Sequence, residues 1–83
     1  STALFVCEVA ISSLTIDRAK KMAYAKAGIP EYWIVRPEAF KTEVYLQPVD
    51  GNYTQQIDYA ADQPIHSTAL PGFIFDLGEA LKG

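Results

Sequence analysis

The chain has one cysteine, one histidine, one tryptophan and one methionine, no net positive charge and no long apolar run. A single cysteine, Cys7, excludes an internal disulfide and suits a reducing compartment, with buried packing as its default role. The single histidine, His66, lies in a loop-like stretch between Ile65 and Ser67 without metal-ligand spacing and reads as a surface residue. A formal net charge of −3 gives no global attraction to nucleic acid, so phosphate contacts would need a local basic patch. No run reaches the roughly 18–20 apolar residues that span a bilayer, because Glu8 interrupts the best candidate, and no basic signal-peptide segment opens the chain. A cytoplasmic protein without a membrane partner is expected. Glycine-rich phosphate loops are missing, and Ser12 and Ser13 have no histidine nearby for a hydrolase triad. An initiator methionine is missing too, while an apolar strand starts within the first three residues, so a piece of a longer chain is expected.

What is present is a core. Hydrophobic residues make up 49% of the 83 positions, with Trp33, five tyrosines and four phenylalanines, which argues for one packed domain over residues 1–83. A chain of this size buries only about 60–65% of its unfolded surface, so the core is marginal.

Residues 3–11, ALFVCEVAI, are apolar on both faces and predict a strand in the middle of a covered sheet. A period of two puts Leu4, Val6, Glu8 and Ala10 on one face, and Phe5, Cys7, Val9 and Ile11 on the other. Ser12 and Ser13 signal a loop. Residues 17–27 predict a helix with Asp17 as cap, Gly28 as left-handed stop and Pro30 beyond. Asp17, Lys21 and Tyr24 share a polar stripe that could face a site. YWIV at 32–35 predicts a second strand, with Tyr32 and Trp33 as core and Arg36-Pro37 as its end. The strand–helix–strand order implies a parallel or mixed sheet covered by the helix. TEVYLQ at 42–47 and NYTQQIDY at 52–59 flank Asp50-Gly51 and predict an antiparallel hairpin. After Pro64 and Pro71-Gly72, a short apolar run at 73–75 leads into a last helical turn near 76–82.

An ionised carboxylate in a buried strand is costly unless paired, hydrogen-bonded or bound to a cation. Glu8 is therefore the most informative residue. Two readings of it stand: a functional ligand, or a charge at a sheet edge paired with a helix lysine. A divalent-metal nuclease needs carboxylates converging on Mg²⁺ and a lysine to orient water or offset phosphate charge. A strand lysine two residues after Glu8 would share its face, but Ala10 is there. The lysine must come from the helix, where Lys20 or Lys21 could reach back. The cluster Arg18, Lys20, Lys21 and Lys26 reads by default as a solvated face.

The ordered string EVAISSLTIDRAKKMAYAKAGIPEYWIV resembles the family of bacterial putative restriction endonucleases within the PD-(D/E)XK nuclease superfamily. VYLQPVDGNY and ALPGFIFDL resemble that family's hairpin and closing segment, so the likeness covers nearly the whole chain. The resemblance implies an α/β, restriction-endonuclease-like fold, a mixed sheet flanked by helices, with the N-terminal part of the fold missing. It implies Mg²⁺ as cofactor, DNA as partner and phosphodiester hydrolysis as activity. Glu8 matches the (D/E) metal ligand and Lys21 the helix-borne catalytic lysine; Asp17, Tyr24 and Lys20 are possible supporting residues. The superfamily's other metal-binding aspartate belongs to a preceding hairpin strand and would lie upstream of Ser1, so the resemblance implies a chain inactive alone. The family also carries a polar or acidic residue at Ile11 and an aspartate at Arg36. A different class of function remains open: a non-catalytic interaction module that forms a homo-oligomer through an exposed sheet edge. A transcriptional or toxin-type binding module has little support, because the net charge is negative and no recognition helix is apparent.

Overall fold

The computed structural model describes residues 4–10 and 14–82. The fold is α/β. A four-stranded mixed sheet has the order β1-β2-β3-β4, with β1 at Phe5–Val9, β2 at Glu31–Arg36, β3 at Lys41–Val49 and β4 at Asn52–Ala60. Helix α1, Leu14–Lys26, makes the crossover that the parallel pairing of β1 with β2 requires. A two-stranded sheet, β5 (Ile65–His66) with β6 (Ile74–Phe75), precedes helix α2, Leu77–Lys82.

Local chemistry explains the boundaries. Helix α1 ends in a Schellman turn: Gly28 has a φ of +76°, its N–H donates to the Ala25 carbonyl at 3.0 Å, and the Ile29 N–H donates to the Tyr24 carbonyl at 3.1 Å. The hairpin closes on Asp50 and Gly51, both at positive φ (+52° and +80°), as a twist-matched two-residue turn demands. Helix α2 is capped by Asp76, whose Oδ1 accepts the Glu79 N–H at 3.1 Å.

The sheet has a core on each face. Tyr32, Ile34 and Tyr45 pack on the α1 side with Val6, Ala10, Tyr24 and Tyr53. Trp33, Val44 and Ile65 pack on the other side with Phe5, Leu46, Tyr59 and Phe75. Alternate β2 residues feed opposite cores, so five consecutive positions, Glu31–Val35, are buried.

Three expectations change. Strand β1 is an edge strand among the described residues, not a central one, and its Leu4 and Val9 flanks are 56% and 59% exposed. Apolarity on both faces signals two covering layers but cannot tell which lateral neighbour pairs with the strand. Helix α1 begins at Leu14, so Asp17 lies inside its first turn and not at its cap. His66 belongs to β5, though it is exposed as expected. Ile11, Ser12 and Ser13 lie outside the described residues, as do the side chains of Asp17 and Arg18.

Candidate functional site

The β1–β2 register pairs Glu8 with Ile34, which faces α1. Strand pairing therefore aims Glu8 at the helix, on the face shared with Val6 and Ala10. Two side chains one helical turn apart on α1 meet it there. The Tyr24 hydroxyl donates to Glu8 Oε1 at 2.7 Å, and Lys20 Nζ donates to Oε2 at 3.2 Å. The Lys20 side chain is 49% exposed and that of Glu8 18%. The Glu8 carboxylate, through its hydrogen bond above all, with burial and charge repulsion adding, holds the Tyr24 phenol above the ordinary tyrosine range. At neutral pH it is a donor.

Lys21 points elsewhere. One residue of helix rotates the side chain by about 100°, and its ammonium lies 4.5 Å from the centre of the Tyr45 ring. Among the described residues, the cation beside Glu8 is Lys20. Cys7 is exposed and, by the pleat, faces away from Glu8; desolvation, then the neighbouring carboxylate, raises its thiol pKa. That disfavours a nucleophilic thiolate.

A second acidic centre was not legible in the sequence. Glu8, Ile34, Glu43 and Asp58 form one cross-strand row on the α1 face. Glu43 is 2% exposed, and it accepts from the Tyr45 hydroxyl and from Arg36 Nη1, the latter at 3.4 Å. Lys41 Nζ stands 3.7 Å from Glu43 and 3.5 Å from Asp58. The alternation of TEVYLQ places Glu43 and Tyr45 on one face, but their convergence with Arg36 depends on the β2–β3 register. On the opposite face Glu31, 1% exposed, accepts from the Trp33 indole at 2.6 Å and from the Thr68 and Ala69 N–H groups at 2.9 Å each. It ties the segment after β5 to the sheet.

The donor set can be tested against Mg²⁺, which needs several convergent oxygens. No group of three histidine, cysteine, aspartate or glutamate side chains capable of holding a metal occurs among the described residues. Glu43 is already committed to Tyr45, Arg36 and Lys41. Glu8 alone does not make a magnesium site. No described helix is long and apolar enough to cross a membrane.

The fold thus sets a strand-borne carboxylate against a helix lysine beside a mixed sheet. No curated protein matches the chain. A family model described as Uma2, putative restriction endonuclease, matches residues 2–78, nearly the whole sequence, and the chain belongs to that family.

Proposed function

We propose that this chain is the C-terminal part of a Mg²⁺-dependent DNA endonuclease domain, with Glu8 as a ligand of the metal and Lys20 as the lysine of the site. Family membership supports nuclease-type chemistry on DNA. The single observation that carries the assignment of residues is the Glu8–Lys20 contact at 3.2 Å. Lys20 takes the role that the family resemblance implied for Lys21, because its ammonium is the one that meets the Glu8 carboxylate. Its ammonium would offset charge on a phosphodiester held against Glu8. Asp17 remains a candidate supporting residue by its place on α1.

The described donor set does not fit Mg²⁺ by itself, so the chain alone is inactive in this reading. The second carboxylate would come from the upstream aspartate strand of the superfamily pattern. A strand laid on the open edge of β1 would put a residue directly opposite Glu8, with Cβ atoms about 4.5–5.5 Å apart. The cytoplasm suits such a protein.

The test is a Mg²⁺- or Mn²⁺-dependent nicking assay on a longer chain that carries the upstream hairpin, beside the 83-residue chain. The longer chain nicks DNA and loses that activity in Lys20→Ala; the short chain does not nick. Cleavage indifferent to Lys20→Ala contradicts the assignment.

A second reading is favoured by one observation, the exposed apolar edge at Leu4 and Val9. In it the chain is a non-catalytic module that pairs β1 with β1 of a second copy. Light scattering after size exclusion separates the two: a clean monomer at high concentration removes the second reading.

A further inference from the structure

The two partners of Glu8 among the described residues are not equivalent. We propose that Tyr24 is the positioning residue that fixes the Glu8 carboxylate through Oε1, while Lys20 is an exchangeable partner that leaves Oε2 open to an incoming group. Only the identity of what meets Oε2 rests on the nuclease reading. The division between the two oxygens is independent of it.

The Tyr24 bond is the shorter, 2.7 Å against 3.2 Å, and part-buried, whereas the Lys20 contact is exposed. A lysine half in water gains little from one partner, because salt screens the pair and its long side chain loses freedom. Tyr24 has only two side-chain torsions, and its ring is held by packing. It lies 4.9 Å from the ring of Tyr32, which is fully buried and stacks in turn on Tyr45 at 6.1 Å and Tyr53 at 6.3 Å. The backbone is fixed as well, since the Tyr24 carbonyl accepts the Ile29 N–H in the turn that ends α1. Glu8 itself is pinned by its ladder partner Ile34.

Charge gives the two donors different fates. The Lys20 ammonium is well solvated and can leave Oε2 for water or for another anion, whereas the neutral Tyr24 phenol, less exposed, keeps Oε1. The carboxylate therefore keeps its orientation while its exposed partner exchanges.

The experiment is side-chain NMR on the 83-residue chain labelled with ¹³C-glutamate. Three-bond couplings and ¹³Cγ relaxation report the Glu8 rotamers. Expected are one dominant rotamer in the parent chain and in Lys20→Met, and averaging over two or more in Tyr24→Phe, with the amide spectrum otherwise preserved. Glu8 that stays fixed in Tyr24→Phe, or is released in Lys20→Met, overturns the proposal. A second measurement needs no variant: a slowly exchanging Tyr24 hydroxyl proton with a cross-peak to the Glu8 γ-protons. It decides the matter where Tyr24→Phe disturbs the fold, and its absence overturns the proposal. A failed nuclease reading shows instead as absent nicking by the longer chain, with these NMR results unchanged.

Discussion

Lys21 rests its ammonium 4.5 Å from the centre of the Tyr45 ring. That contact places it on the stacked tyrosines and leaves Glu8 to Lys20. The two adjacent lysines should therefore separate cleanly. Lys21→Ala should cost about 0.5–1 kcal/mol of folding stability, the usual size of a cation–π contact, and leave nicking by the longer chain in place. Lys20→Ala should change stability by less than about 1 kcal/mol, as an exposed ion pair does, yet abolish nicking. Urea denaturation and the nicking assay, run on both variants, check the pair.

Glu43 should matter to the fold more than any exposed charge. It is buried and holds Tyr45, Arg36 and Lys41 together. Removing one member of a buried charged cluster costs about 3–5 kcal/mol. For a domain of this size each kcal/mol shifts Tm by about 4–8 °C. Glu43→Ala should lower Tm by 10 °C or more in a calorimetric scan.

Glu31 holds a loop. Its carboxylate satisfies the Trp33 indole and the N–H groups of Thr68 and Ala69. Glu31→Ala strands those donors, at about 1–3 kcal/mol for each one left buried and unmet. Hydrogen exchange should speed up at Thr68 and Ala69 before it does in β3.

Tyr53 gives a pH dependence. Burial first, then the charge Tyr24 would carry, push its phenol up to about 12, and its hydroxyl donates to the Ile29 carbonyl at 2.8 Å. A group with a raised folded pKa contributes stability that is complete below the unfolded value, near 10, and is lost as pH rises through the folded one. Stability should fall between about pH 10 and 12. Tyr53→Phe should flatten that part of the denaturation profile.

Much of this was readable along the chain, wherever one residue decides its own neighbourhood. Gly28 marks the end of α1, Asp50-Gly51 the hairpin, and the apolar YWIV run the strand whose residues fill both cores. Features set by distant partners were not readable. The edge position of β1 depends on which strand lies beside it. Strands β5 and β6 have two residues each, too few for a period. The burial of Glu43 needs the β2–β3 register, and the choice of Lys20 over Lys21 needs the rotation of α1 on the sheet. Glu8 could be singled out because a carboxylate in an apolar strand is costly, but its two partners came only from the packed helix.

The proposed role of Glu8 is that of the metal-binding carboxylate of a nuclease site. It is tested by Mg²⁺-dependent nicking of supercoiled DNA by a longer chain that carries the proposed upstream hairpin, as parent and as Glu8→Ala. Glu8→Ala should lose about 100-fold or more of that activity, with the fold intact by circular dichroism. Nicking at the parental rate in Glu8→Ala would contradict it.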